Sequence, residues 1–83
     1  MLKLREWNEV LAYADEVEIE LKESGLNAKA EEYSMYDGRQ GINLVVYDNR
    51  GNVFKKYSSG IHETATEYKR YIDYYKNKIL EEC

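Results

Sequence analysis

Two segments of the chain carry apolar residues at steps of three and four, the spacing that aligns side chains along one face of an α-helix. Ser24-Gly25-Leu26 follows the first segment with a glycine suited to a left-handed helix end. The second segment follows Ser58-Ser59-Gly60, and either Ser59 or the capping sequence Thr64-Ala65-Thr66-Glu67 begins its helix. The predicted buried stripes are Leu4, Trp7, Val10, Leu11, Ala14, Val17 and Leu21 in the first helix, and Ile61, Ala65, Tyr68, Ile72, Tyr75 and Ile79 in the second.

The middle of the chain predicts a β-hairpin. In the segment Ile42 to Tyr47, every second residue is a large aliphatic one (Ile42, Leu44 and Val46), which places these three on one face of a strand. Asp48-Asn49-Arg50-Gly51 is typical of a hairpin turn with Gly51 in the left-handed conformation. Asn52 to Tyr57 then returns as the next strand, and Phe54 is its expected core residue.

A weaker strand, Asn27 to Tyr36, precedes the loop Asp37 to Gly41. Ala28 and Ala30 stand at even positions, whereas Tyr33 and Met35 stand at odd positions. In a regular strand the two pairs would therefore face opposite sides of the sheet. We expect a bulge between the two pairs that turns both toward the core.

The element order α-β-β-β-α predicts an α+β fold, with a three-stranded antiparallel sheet and two helices packed on one of its faces. Eighty-three residues without proline predict a single domain over 1–83. An aromatic content of 13% argues against disorder. Because we find no long apolar run and no signal peptide, we expect a cytoplasmic protein that does not enter a membrane.

The first helix is strongly acidic. Between Glu6 and Glu23 it carries seven carboxylates and one lysine, a net charge of −6 in a chain whose total is −4. A helical wheel places four of these carboxylates opposite the apolar stripe, with an apolar residue beside them. This row is Glu9, Glu16, Glu20 and Glu23, with Ile19 as the apolar neighbour. We interpret it as a surface for a basic partner, and the alternative is an ordinary solvated helix face.

The residues offer little for catalysis or metal binding. His62 is the only histidine and is expected on the surface at the start of the second helix, where no nucleophile is evident nearby. Cys83 is the only cysteine, so it forms no internal disulfide, and we expect an ordinary exposed thiol. No phosphate-binding or dinucleotide-binding glycine motif is present. We therefore expect no catalytic residues, no metal and no cofactor.

Tyrosines are concentrated in the second helix. Tyr68 and Tyr75 belong to its apolar stripe, Tyr71 lies at the edge of the stripe, and Tyr74 faces outward. Tyrosine is favoured at protein interfaces because it is large and amphipathic. Tyr71 and Tyr74 therefore indicate an alternative function, a small interaction module that forms homodimers.

The element order resembles that of the double-stranded-RNA-binding domain. That family carries a lysine cluster at the start of its last helix, whereas this chain has the acidic stretch 62–67 there. Duplex RNA binding requires phosphate neutralisation, so the resemblance does not extend to function. Arg50, Lys55 and Lys56 leave a third interpretation open, a divergent nucleic-acid-binding domain.

In size, acidity and element order the chain also resembles small phage-encoded inhibitors, among them anti-CRISPR proteins that imitate DNA. The resemblance implies a non-enzymatic inhibitor whose acidic side chains cover the basic nucleic-acid-binding surface of a partner protein. It also implies action in the cytoplasm of the host cell. This chain differs from those inhibitors in that its acidity is concentrated in the first helix.

Overall fold

The computed structural model describes residues 2–82. Its elements are α1 (Leu4–Glu23), β1 (Asn27–Ser34), β2 (Gln40–Tyr47), β3 (Val53–Ser58) and α2 (Ala65–Glu82). The three strands form one antiparallel sheet in the order β1-β2-β3. The predicted α+β fold with the order α-β-β-β-α is therefore confirmed. Within the described residues, neither helix is long and apolar enough to cross a membrane.

Helix α1 ends where the sequence predicts, at a glycine. Gly25 has a φ of +91°, in the left-handed region that glycine adopts without strain. The Gly25 N–H donates to the Lys22 carbonyl at 3.0 Å, and the Leu26 N–H donates to the Leu21 carbonyl at 3.2 Å. This hydrogen-bond pattern satisfies carbonyls at the end of the helix and directs the chain into β1.

Helix α2 begins at the capping sequence rather than at Ser59. The Thr64 hydroxyl accepts the Glu67 N–H at 3.2 Å and donates to the Glu67 carboxylate at 3.2 Å. Ser59 instead extends the pairing of β3. Its N–H donates to the Ile42 carbonyl at 2.8 Å, and its hydroxyl accepts the Ile42 N–H at 3.0 Å. Ile61 therefore lies before the helix, and its assignment to the α2 stripe is wrong.

The expected bulge in β1 is absent. The register between β1 and β2 is unbroken from Asn27 opposite Tyr47 to Ser34 opposite Gln40. Tyr33 consequently lies on the face opposite Ala28, and Met35 follows the strand. Gly41 lies opposite Tyr33, and a Cβ at this position would overlap the Tyr33 ring. Glycine makes room for the ring on the open face, so β1 needs no bulge.

The hairpin between β2 and β3 contains the irregularity instead. Gly51 has a φ of +84°, as predicted for this turn. Val46 pairs with Lys55 but Tyr47 pairs with Val53, so Phe54 is an extra residue in β3. Phe54 is 52% exposed, because the extra residue interrupts the alternation of side chains between the two faces of β3. The prediction that Phe54 lies in the core is therefore wrong.

One hydrophobic cluster joins the sheet to both helices. The sheet contributes Ile42, Leu44 and Val46, the face predicted from the alternation in β2. The remaining buried members are Trp7, Val10, Ala14, Val17, Leu21, Ala28, Tyr68, Ile72 and Ile79. Leu4 is 76% exposed, because it lies in the first turn of α1, ahead of Trp7, and its predicted burial is wrong.

Neighbouring residues of α2 give a direct test of this core. Ile79 is 0% exposed, whereas Leu80 is 36% exposed. We predict that Ile79→Ala lowers the free energy of unfolding by about 2–5 kcal/mol, because it leaves a cavity beside the sheet. Leu80→Ala should cost less than about 1 kcal/mol. Urea unfolding followed by circular dichroism measures both, and equal losses would contradict the assigned rotation of α2.

Candidate protein-binding surface

Ion pairs join helix α1 to helix α2. The Glu9 carboxylate lies 3.9 Å from the Lys69 ammonium, and the Glu20 carboxylate lies 3.2 Å from that of Lys76. Lys76 also pairs with Asp73 within α2 at 3.1 Å. These contacts occur because the two helices lie side by side and bring the acidic flank of α1 to the basic flank of α2.

The row of four carboxylates predicted on α1 is therefore divided. Glu9 and Glu20 lie on the flank next to α2, where lysines offset their charge. Glu16 and Glu23 are exposed and form no ion pair within residues 2–82. All four carboxylates are exposed, as the helical wheel predicts, but the wheel gives only the direction of a side chain and not the neighbour it meets.

Two further acidic residues of α1 support the fold. Glu18 accepts the Ala30 N–H at 2.7 Å, on the edge of the sheet that no strand covers, and it also pairs with Lys22 at 3.3 Å. Glu6 accepts the Lys3 N–H at 3.3 Å at the start of the helix. Of the seven carboxylates in this segment, four thus have partners, and the remaining ones are Asp15, Glu16 and Glu23.

These three carboxylates border an exposed apolar side chain of α1, and the fourth neighbouring position is held by Lys22, which pairs with Glu18. Ile19 is 54% exposed, and Asp15, Glu16 and Glu23 precede or follow it by three or four residues. Residues at such spacings are neighbours on a helix. We call Asp15, Glu16, Ile19 and Glu23 the acidic surface. The sequence prediction missed Asp15, although its distance of four residues from Ile19 was a usable signal.

Hydrogen bonds at the helix contact shift the pKa values of Asp73 and Lys76. The hydrogen bond from Lys76 lowers the pKa of the Asp73 carboxyl, and that from the Tyr13 hydroxyl, at 3.1 Å, acts in the same direction. Burial opposes the charged form of Lys76, but its hydrogen bonds to Asp73 and Glu20 prevail and raise its pKa. Both groups are therefore held in their charged forms at neutral pH.

The three cations proposed for nucleic-acid binding do not share a face. Lys56 pairs opposite Val45 and Lys55 opposite Val46, so their side chains project from opposite sides of β3. The Lys55 ammonium binds the Glu82 carboxylate at 2.6 Å at the end of α2. Arg50 lies in the hairpin turn. The structure therefore does not bring these residues together as one basic patch.

The His62 side chain is held in place by neighbouring residues of the fold. Its ring stacks on Tyr71 with centroids 4.5 Å apart, and its Nε2 donates to the Ser59 carbonyl at 2.5 Å. Its side chain is 15% exposed, so the expectation of a surface histidine is corrected. It lines an open cleft of about 410 Å³ together with Trp7 and Ile61.

Within residues 2–82, no group of three or more His, Cys, Asp or Glu residues could hold a metal ion, and Cys83 lies outside that range.

The two tyrosines proposed for self-association differ in their surroundings. Tyr71 is 39% exposed and is held against His62. Tyr74 is 57% exposed and faces outward, with its ring edge against Tyr75 at 5.2 Å between centroids. Tyr74 is therefore the more accessible of the two.

Comparison of the chain with protein families, with curated proteins and with solved structures finds no match. Its surface therefore provides the basis for a functional proposal. The acidic surface differs from the other charged regions of α1 because none of its three carboxylates has a partner within residues 2–82.

The helix contact generates a pH-dependent prediction. The folded pKa of Asp73 is lowered from its usual 3.8, so its contribution to stability is present above that value and is lost as the pH falls through the folded pKa. We predict that Asp73→Asn destabilises the protein at pH 7 and that its difference from the native protein shrinks below about pH 4.

Urea unfolding at a series of pH values measures this difference. Glu16→Gln is the matched control, because it removes one carboxylate that has no partner in residues 2–82. Its effect on the free energy of unfolding should stay within about 0.5 kcal/mol throughout. A loss for Asp73→Asn that is the same at pH 7 and pH 3 would contradict the assigned role of the carboxylate.

Proposed function

We propose that this protein is a non-enzymatic binding protein whose acidic surface covers a basic surface of a partner protein. The observation that carries the proposal is Ile19, an exposed apolar side chain bordered by three carboxylates that form no ion pair within residues 2–82, while its remaining neighbour Lys22 pairs with Glu18. An apolar centre with a polar, solvent-accessible rim is the usual anatomy of a protein interface.

The sign of the charge selects the class of partner. Three unpaired carboxylates attract lysine and arginine side chains and repel phosphates, so the acidic surface suits a basic protein rather than a nucleic acid. Ile19 would enter an apolar depression between the basic groups of that partner. Electrostatic attraction then accelerates the encounter, and burial of Ile19 slows dissociation.

A nucleic-acid-handling protein of the cytoplasm is the partner that fits best. Glu16 and Glu23 are seven residues apart, which places them about 10 Å from each other along α1. Asp15 adds a third negative charge at the side of this pair. Such a row of negative charges imitates part of a phosphate backbone, and the protein would act as an inhibitor by occupying the groove that binds nucleic acid.

Charge reversal at single positions tests the proposal. We predict that Glu16→Lys and Glu23→Lys each weaken partner binding by about tenfold or more, because each replaces an attractive contact with a repulsive one. Native protein and variants serve as baits in nuclease-treated bacterial lysate, and bound proteins are then challenged with duplex DNA. The proposal expects a nucleic-acid-binding protein that the native bait captures, that both variants lose and that DNA displaces.

Glu63→Lys is the control, because it makes the same change in net charge at an exposed residue outside the acidic surface. It should capture the partner as the native protein does. Equal capture by native protein and α1 variants, loss of capture with the control, or no DNA-displaceable partner at all would overturn the proposal. Circular dichroism of each bait establishes that the variants are folded.

A further inference from the structure

The outermost face of α2 has the spacing of a helix-pairing seam. Four exposed residues project away from the core at steps of four, three and four residues, and they are Arg70, Tyr74, Asn77 and Glu81. This is the spacing with which helices pack against one another. Arg70 and Glu81 form no ion pair within residues 2–82. The seam is separate from the acidic surface of α1.

A groove on this face has the composition of a packing hole. Its volume is about 270 Å³, and its walls are Tyr74, Asn77, Lys78 and Glu81, with Glu82 beside them. Positions i, i+3, i+4 and i+7 of a helix are the four residues that surround an inserted side chain in knobs-into-holes packing. The groove can therefore accept one large side chain from a facing helix.

We propose that a second copy of this chain occupies the groove, with the two α2 helices antiparallel about a two-fold axis between residues 75 and 76. This arrangement places Asn77 opposite Tyr74 of the partner subunit and directs that tyrosine into the groove. It also places Arg70 opposite Glu81 of the partner subunit. The two-fold axis repeats every contact, so one face satisfies both copies.

Charge selects this arrangement over the parallel one. A parallel pair would place Arg70 against Arg70 and Glu81 against Glu81, and both contacts are repulsive. In the antiparallel pair each Arg70 meets a carboxylate. Tyr74 is 57% exposed and supplies the large amphipathic side chain that interfaces favour.

The size of the seam predicts a dimer that dissociates on dilution. Residues 70 to 81 span about 17 Å of helix at 1.5 Å per residue. A contact of this length buries roughly 1,000 Å² in total, near the lower limit for a specific interface. We therefore expect monomers at low micromolar concentration and dimers near millimolar concentration, with dimerisation weakened by salt because of the Arg70–Glu81 contacts.

Sedimentation equilibrium of the full chain, from about 10 μM to about 1 mM, tests the dimer with charge-reversed variants. Arg70→Glu and Glu81→Arg should each weaken dimerisation by roughly tenfold to a hundredfold, because each brings like charges together twice. The double variant with both reversals should dimerise as the native protein does. Tyr74→Ser should also weaken the dimer, because it empties the groove.

Mixing the two single variants is the most discriminating test of the Arg70–Glu81 contacts. An Arg70→Glu chain carries two acidic positions and a Glu81→Arg chain carries two basic ones, so the mixture should form heterodimers although neither chain dimerises well alone. Arg50→Glu and Glu63→Arg are the controls, because they make the same charge changes outside the seam and should leave dimerisation unchanged. Circular dichroism checks the folding of each variant.

Three results would overturn this proposal: a native protein that remains monomeric throughout the concentration range, a native dimer that single reversals do not weaken, or reversals that fail to rescue each other in the double variant and in the mixture. None of these results bears on the acidic surface, which is tested by capture of a different protein. Loss of capture by the Glu16→Lys bait, in turn, leaves the dimer untouched.

Discussion

The apolar face of the sheet is the constraint from which the rest of the structure follows. Ile42, Leu44 and Val46 occupy this face on the central strand, and residues from both helices bury them. A three-stranded sheet is wider than one helix, so a single helix could not exclude water from it. Two helices side by side do so, and their proximity brings Glu20 to Lys76. The positions of these surface charges are thus a consequence of core packing.

Much of the fold could be predicted, because the spacing of apolar residues and the residues that form turns are local properties of the sequence. The helical stripes, the alternation in β2 and the roles of Gly25 and Gly51 all depend on residues close together in the chain. The errors concern cross-strand neighbours. The space for Tyr33 comes from Gly41 on the adjacent strand, and Phe54 leaves the core because the β2–β3 register shifts beside it. No local pattern contains that information.

The candidate site shows the same division between local and distant information. The acidity of α1 and the exposure of Ile19 could be predicted from the sequence, since both depend on the rotation of one helix. The pairing of Glu9 and Glu20 with lysines could not, because it depends on which residues of α2 lie alongside. The structure therefore reduces a long acidic row to a compact surface with an apolar centre. A compact surface of this kind is more specific than a charged row, because its position is defined by one side chain.

The charge patterns of the two exposed helix faces determine which occupants they can accept. The charges of the acidic surface are all negative, so a second copy of it would add repulsion, and a basic partner is needed to neutralise it. The seam on α2 carries Arg70 and Glu81 at equal distances from its centre, so a copy of the same face can neutralise both. The two proposals thus assign recognition of another protein to α1 and self-association to α2, and each relies on a different arrangement of charges.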